Sequence, residues 1–170
     1  MTATPTHLVS QPSIPPRFHA GLAVLRAVVG AIFIAHGGQK LFVYGFAGVT
    51  GAFGQMGVPL PEIVGPAVAL LEFFGGIALV LGLFTRVVAL GLALTMVGAI
   101  LLVHLPAGFF APEGFEFPLA LFGAALALAL SGPGDLSLDR VLARRQSRPG
   151  PDDGAPSAAT AGSRSKTSSA

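Results

Sequence analysis

The chain has 170 residues, of which 52% are hydrophobic and 11% are charged, and its formal net charge is +2. Soluble domains carry about 25% charged residues, so this chain has too little charge to cover a water-facing surface and is typical of a membrane protein. The absence of cysteine excludes disulfides, thiolate metal sites and covalently attached c-type haem. Six of the ten basic residues lie at or beyond Arg140 without interleaved aromatic residues, which argues against a nucleic-acid partner.

Four apolar segments follow a polar, proline-rich leader, and their lengths predict membrane-spanning helices. They cover residues 19–41, 62–83, 87–105 and 117–131. At about 1.5 Å per residue, the first three reach or nearly reach the roughly 30 Å of hydrocarbon in a bilayer. The fourth has only 15 residues, but Pro118 suits its first turn and "GPG" at 132–134 ends it. We therefore predict an all-α integral membrane protein folded as a four-transmembrane-helix bundle.

The charged residues predict how this bundle is oriented. One face carries six basic residues, whereas the other carries Lys40 and glutamates at positions 62, 113 and 116. Cytoplasmic loops of membrane proteins are enriched in Lys and Arg, so both termini are predicted to be cytoplasmic. We divide the chain into a disordered leader at 1–17, a membrane domain at 18–142 and a disordered tail at 143–170. The basic residues of the cytoplasmic face are Arg17, Arg86, Arg140, Arg144, Arg145 and Arg148.

The loop predicted after the first span repeats glycine at every third position from Gly45 to Gly57. Five glycine triplets with so little proline are too few for a collagen-like helix. Phe46, Val49 and Phe53 in the same loop recur at helical spacing. We expect a short amphipathic or re-entrant helix that packs on the outer mouth of the bundle.

Ionisable residues inside the predicted spans need partners, because a charge in hydrocarbon costs at least about 2.5–3.5 kcal/mol. Arg26 lies about 6 Å to the cytoplasmic side of the centre of the first span, and Glu72 is almost central in the second. An ion pair between them would relieve both costs. Such a pair would act either as a structural clamp between two helices or as a proton or ligand relay.

A second group of polar side chains is predicted at the outer end. Its members are His36, Gln39, Lys40, His104, Glu113 and Glu116. The first three end the first span, and His104 ends the third at a depth within about 3 Å of His36. The two glutamates follow in the next loop. We expect these residues to form an outward-facing polar pocket.

Hydrogen-bonding groups at a membrane interface suit several ligands. His, Gln and Lys side chains can bind the carbonyl oxygens of a quinone headgroup while the isoprenoid tail stays in lipid. A small sulfur oxyanion such as thiosulfate would be attracted by Lys40 and a protonated histidine. Haem and metal binding are disfavoured, because no helix carries two histidines at ligating spacing. The sequence does not identify a cofactor, but the polar residues at the outer end are compatible with a quinone.

Four stretches of the sequence resemble the DoxX family of small prokaryotic membrane proteins. They are "LRAVVGAIFIAHGGQKLF", "LLEFFGGIALVLGLFTR", "VHLPAGFF" and "GPGDLSLDR", which occur in the family's order and span about residues 18–142. The resemblance implies a four-helix membrane bundle and a subunit linked with thiosulfate:quinone oxidoreduction or quinol oxidation. The positions that match the family pattern are Arg26, His36, Gly37, Gln39, Lys40, Glu72, Gly75, Gly76, Thr85, Arg86 and His104.

We therefore predict a multi-pass, redox-associated subunit of the bacterial inner membrane, in contact with lipid and with a partner oxidoreductase subunit. It would bind a quinone, a quinol or a small sulfur oxyanion at the outward-facing site. Two alternatives stay open: a small-molecule or proton conduit lined by Arg26 and Glu72, and a non-catalytic scaffold for a partner oxidoreductase. The catalytic candidates are His36, Glu72 and Arg26, the substrate-binding candidates are Gln39, Lys40, His104 and Glu116, and no metal ligand is assigned.

Overall fold

The computed structural model describes residues 15–110 and 112–146, and within these ranges the chain is helical and contains no β-strand. Six α-helices are connected by short turns, and two of them continue into π-helical segments. The α-helices are α1 (Pro16–Gly38), α2 (Gly45–Gln55), α3 (Pro61–Leu81), α4 (Thr85–Ala99), α5 (Glu116–Ser131) and α6 (Leu138–Gln146). The π-helical segment Gln39–Tyr44 joins α1 to α2, and α4 continues through the π-helical segment Ile100–His104 and a 3-10 turn, Leu105–Ala107.

Three helical runs are long and apolar enough to cross a membrane. They are Pro16–Gln55, Pro61–Leu81 and Thr85–Ala107. Many of their large apolar side chains are exposed, as contact with lipid requires. Helix α5 is also apolar but has only 16 residues. The predicted all-α membrane fold is thus confirmed, whereas a fourth span and the cytoplasmic termini stay predictions. The predicted leader and tail lie mostly outside the described residues.

The local sequence explains where these helices begin and end. Pro16 and Pro61 occupy the first turns of α1 and α3, where a missing N–H group costs nothing. Helix α3 ends at Gly82, whose φ of 69° lies in the left-handed region that glycine adopts without strain. Helix α4 begins three residues later, at Thr85. Helices α3 and α4 therefore form a tight antiparallel hairpin.

Helices α1, α3, α4 and α5 pack in a ring in which α5 returns to α1. Neighbouring helices in the ring are antiparallel, so α1 and α4 begin at one end of the bundle, where α3 and α5 finish. We call this the Arg26 end and the opposite one the Lys40 end. The buried core between the helices contains Leu22, Val29, Phe33, Leu79, Ala89, Leu92, Met96, Leu121 and Leu128.

Three glycines bring α1 and α3 into close contact, and we call them the glycine seam. A Cβ on Gly30 would lie 2.7 Å from the carbonyl oxygen of Gly76, and one on Gly76 would lie 2.8 Å from that of Gly30. At Gly37 a Cβ would overlap the backbone of Phe73. Small residues let helix backbones approach closely in membranes. The glycine seam therefore fixes the register of α1 against α3.

Helix α2 packs on α3 at the Lys40 end. Its Val49 is buried, and Gly65 of α3 makes room for it, because a Cβ on Gly65 would lie 3.2 Å from Val49 Cγ1. The helix predicted in the glycine-rich loop is thus confirmed. It covers the start of α3 and contributes to the surroundings of the Lys40 end.

Candidate functional site

Lys40 and Glu72 form an ion pair where α1 packs on α3. The distance from Lys40 Nζ to Glu72 Oε2 is 2.6 Å, and the Glu72 side chain is only 5% exposed. The glycine seam explains this contact, because Gly37 lies against Phe73 and Lys40 follows about one helical turn later. The buried carboxylate is therefore compensated by a neighbouring ammonium group.

Both helices that carry the predicted polar residues change to π-helix at the Lys40 end. Gln39 and Lys40 open one π-helical segment, and His104 closes the other. A π-turn closes its hydrogen bonds one residue later than an α-turn, and such segments are frequent at functional sites. Two of them at the same end of the bundle distinguish that end as the candidate site.

Two histidines from different helices contact the start of α5. The ring of His36 packs against that of Phe117, with centroids 6.1 Å apart, and His104 Nδ1 lies 2.8 Å from the carbonyl oxygen of Glu113. Among residues 15–110 and 112–146, no hydrogen bond links the two imidazoles. The His104 ring is held by the Glu113 carbonyl, whereas the His36 side chain is exposed and its imidazole makes no hydrogen bond within the described chain.

Gln39 and Glu116 flank the contact between His36 and Phe117. Gln39 is exposed and follows His36 by three residues, so both side chains lie on one side of α1. Glu116 is half-buried in the first turn of α5, directly before Phe117, which is 45% exposed. The surface between α1 and α5 thus offers an imidazole, an amide and an aromatic ring, with a carboxylate at its edge.

Arg26 lies at the other end of the bundle, and its predicted pairing with Glu72 is wrong. Its two terminal nitrogens donate hydrogen bonds to the backbone carbonyls of Pro133 and Leu136. The guanidinium also lies against Gly82, about 15 Å along α3 from Glu72. Arg26 is only 2% exposed. Two backbone carbonyls, and not Glu72, therefore accept hydrogen bonds from this buried cation, and its Nε has no hydrogen-bond partner among the described residues.

The chain after α5 forms a polar network at the Arg26 end that the sequence reasoning missed. From the sequence, the "GPG" that opens the motif "GPGDLSLDR" was expected only to end the fourth apolar helix. Asp139 of this motif caps α4 by accepting hydrogen bonds from the backbone N–H groups of Phe84, at 2.8 Å, and Thr85, at 3.0 Å. Aspartate is a common capping residue, but the capped helix begins 54 positions earlier in the chain. Sequence spacing alone does not reveal such a contact.

Asp135 adds exposed ion pairs to the same network. Its carboxylate lies 3.2 Å from His19 Nε2 and 3.1 Å from Arg140 Nε. Gly132 packs against the Arg86 side chain, since a Cβ there would lie 2.9 Å from Arg86 Nε. The network thus connects α1, α4 and α6 through one segment of chain.

The polar residues at the Lys40 end suit hydrogen bonding better than metal ligation. No group of three or more His, Cys, Asp or Glu side chains in residues 15–110 and 112–146 is arranged to hold a metal ion. The ammonium charge of Lys40 is balanced by Glu72 at 2.6 Å. The exposed side chains at this end include the imidazole of His36 and the amide of Gln39, which can take part in hydrogen bonds.

Two family models match the chain: DoxX over residues 21–105, and a model described as TQO small subunit DoxD over residues 64–149. A Bacillus subtilis protein named "Putative oxidoreductase CatD" is 38% identical over 122 residues, which cover 72% of this chain and 87% of that protein. An uncharacterised membrane protein of Mycobacterium tuberculosis is 36% identical over 79% of this chain and 91% of its own length. Inner membrane protein YqjF of Escherichia coli is 36% identical over 74% of this chain and 94% of its own length. No solved structure gives a significant match.

Proposed function

Because the chain belongs to the DoxX family of membrane proteins, we propose that it is a redox-associated subunit that binds a quinone or quinol headgroup at the Lys40 end. The name of the Bacillus subtilis relative supports redox chemistry, and so does the match to a small subunit. The residues proposed to form the site are His36, Gln39, Lys40, Glu72, His104 and Glu116. Arg26, at the opposite end, does not touch this group.

The observation that carries the proposal is the position of the His36 imidazole. It is exposed beside the half-exposed ring of Phe117 and makes no hydrogen bond within the described chain. A quinone headgroup is a flat ring with carbonyl oxygens, so it can stack on an aromatic ring and accept a hydrogen bond from an imidazole N–H. Because this surface faces the surroundings of the bundle, the isoprenoid tail can remain in lipid.

The Lys40–Glu72 pair favours a quinone over a sulfur oxyanion. An anion would be attracted by an uncompensated ammonium group, but Lys40 already has Glu72 as its partner at 2.6 Å. The backbone carbonyl of Glu113 lies 2.8 Å from His104 Nδ1, so this ring nitrogen is also engaged and not available to bind an anion. A neutral headgroup does not need an uncompensated cation.

We propose that α5 forms a fourth span and that the Arg26 end faces the cytoplasm of the bacterial inner membrane. The basic residues near the ends of the helices support this orientation, because all of them except Lys40 lie at the Arg26 end. Relatives named as inner membrane proteins support the location. With 16 residues, α5 spans about 24 Å, which a locally thinned bilayer accommodates.

A partner oxidoreductase subunit is part of the proposal. A bound quinol that is oxidised to the quinone releases two protons, which pass to water at the exposed surface, and two electrons, which pass to a redox centre that we place on the partner. The match to a model named as a small subunit supports such an assembly. This chain would bind the quinone headgroup at the membrane surface.

The glycine seam argues against the alternative of a conduit lined by Arg26 and Glu72. Both polar groups have local partners, since Arg26 donates to two carbonyls and Glu72 pairs with Lys40. Between them α1 and α3 touch through Gly30 and Gly76, so closely that even a methyl group would clash. A continuous polar path along this helix contact would have to separate the two backbones.

Mass spectrometry of the full chain, purified in mild detergent, tests the proposal. We expect endogenous quinone to co-purify with the wild-type protein, and His36→Ala to lose it. His19→Ala, which changes a histidine at the Arg26 end, is the matched control and should retain the quinone. Photo-crosslinking with an azido-quinone should label residues near Phe117 in the wild-type protein and in His19→Ala only.

Two outcomes would contradict the proposal. One is that neither co-purification nor crosslinking detects a quinone in the wild-type protein. The other is that His36→Ala and His19→Ala behave alike. If His36→Ala also keeps its partner subunit and its cellular phenotype, the scaffold alternative is favoured instead.

A further inference from the structure

Helix α6 has an apolar stripe that no part of the described chain covers. Leu138, Val141 and Leu142 lie at helical spacing and are 41%, 46% and 48% exposed. Leu136, just before the helix, is 61% exposed. Arg140 and Arg144, four residues apart, lie on another side of α6, whereas Arg145, four residues after Val141, lies at the end of the apolar stripe. A short helix with one apolar side and a basic side is typical of helices that lie in the membrane interface.

Two contacts fix α6 beside the ends of the membrane helices. Asp139 on its first turn caps α4, and its own N–H donates to the carbonyl of Gly82 at the end of α3. Arg140 pairs with Asp135 at 3.1 Å. These contacts hold α6 at the level where the apolar helices end, which is the level of the lipid headgroups. Its apolar stripe can therefore reach the acyl chains without leaving the bundle.

The charges around α6 are complementary to an acidic surface. Arg17, Arg86, Arg144 and Arg145 are exposed at this end. Its acidic residues are engaged: Asp139 caps α4, and Asp135 pairs with His19 and Arg140. Within residues 15–110 and 112–146, no ion pair engages these four arginines, so their charges are available to an external partner. Basic residues next to a membrane helix attract anionic lipid headgroups.

From these observations we infer that α6 is an interfacial helix that binds anionic phospholipid, with its apolar stripe in the acyl region and Arg144 at the headgroup phosphates. Arg145, at the C-terminal end of the stripe, reaches the same phosphates by extending its long side chain towards the interface. The continuity of α6 with the membrane helices favours lipid over a soluble protein as the occupant. Attachment to the bundle removes most of the entropic cost of docking so short a helix.

Electron paramagnetic resonance of single spin labels tests this inference, because the chain has no native cysteine. The full chain is placed in nanodiscs of phosphatidylcholine, or of phosphatidylcholine and phosphatidylglycerol at about three to one. A label introduced by Leu142→Cys should be accessible to oxygen and shielded from a water-soluble nickel chelate in the acidic discs. A label introduced by Arg144→Cys should be accessible to the chelate.

Charge variants made with Leu142→Cys test the role of the arginines. Each Arg→Gln change at positions 144 and 145 should lower the docked population relative to the undocked one about fivefold in the acidic discs. Arg→Lys at the same positions should have little effect. Unchanged melting temperatures will show that the bundle itself is intact.

Three results would overturn the inference. The label at position 142 could be as accessible to the chelate as the one at 144, which would mean that the stripe is exposed to water and binds a protein partner instead of lipid. Docking could be equal in the two kinds of disc. The Arg→Gln variants could dock as the wild-type protein does, which would exclude the proposed phosphate contacts.

Discussion

The Arg26 end and the Lys40 end of the bundle use their polar residues differently. At the Arg26 end, a buried guanidinium and an aspartate both bond to backbone groups, and the segment that follows α5 ties several helices together. At the Lys40 end, one side-chain ion pair is buried, the helices change to π-helix, and His36 keeps an exposed imidazole. The first arrangement fixes the fold, whereas the second leaves groups available for a ligand.

The largest effect on stability is expected from Arg26→Ala. The change removes two charge-assisted hydrogen bonds and leaves the carbonyls of Pro133 and Leu136 without donors. At about 1.5–3 kcal/mol for each bond, we expect a loss of about 3–6 kcal/mol. Unfolding of the purified protein in detergent, followed by circular dichroism, measures it. The control is Arg17→Ala, which changes an exposed arginine at the same end. Equal melting temperatures of the two variants would contradict the claim that Arg26 stabilises this end of the bundle.

Lys40→Met should be the next most harmful change, because it leaves the buried Glu72 carboxylate without its partner. We expect a loss of about 3 kcal/mol, at the lower end for a broken buried pair since Lys40 is partly exposed. The double variant Lys40→Met/Glu72→Gln should recover at least half of it. A double-mutant cycle measures this coupling.

A second double-mutant cycle, between Arg26 and Glu72, tests the comparison between the two ends. Arg26→Ala and Glu72→Gln should be additive, because these residues do not touch. A strong coupling between them, or none between Lys40 and Glu72, would contradict the assignment of partners described above.

Gly37→Ala tests whether close helix contact positions the Lys40–Glu72 pair. The added methyl group would overlap the backbone of Phe73 and push α1 away from α3. We expect a loss of about 1–3 kcal/mol and weaker coupling between Lys40 and Glu72. Gly98→Ala and Gly123→Ala are matched controls, since a Cβ at either position meets nothing within 4 Å. The seam would lose its assigned role if all three variants had the same stability.

The smallest effects in this series are expected from two aspartates at the Arg26 end, of which Asp139→Ala removes the cap of α4. Losing a helix cap costs about 1–2 kcal/mol. Asp135→Ala, which breaks only exposed ion pairs, should cost less than about 1 kcal/mol. Thermal unfolding of the two variants under the same conditions gives the ranking, and the reverse order would show that the cap is not a fixed part of this end.

The sequence was sufficient for the features that depend on composition and periodicity. The three long apolar helices and the short helix in the glycine-rich loop follow from hydrophobic patterns and are present in the structure. The sequence also indicated that Arg26 and Glu72 need partners, because burial of an uncompensated charge is costly. These statements hold for each segment independently of how the helices are arranged.

The identities of the partners could not be derived in the same way. Arg26 was matched to Glu72 because a search for opposite charges ignores backbone carbonyls, which every residue carries. Its acceptors, Pro133 and Leu136, lie more than 100 positions later in the chain. The Lys40–Glu72 pair depends on the register of α1 against α3. Gly30 and Gly37 lie seven residues apart on α1 and set this register. Their spacing is the sequence signal that could have indicated which residues pair.

The glycine seam has a consequence for how such a protein can diversify. Where Gly30 faces Gly76, backbone meets backbone, so this contact sets the distance between α1 and α3 whatever side chains occupy the two ends. Exposed side chains at the Lys40 end can therefore be exchanged in the course of evolution without separating the two helices at the middle of the bundle.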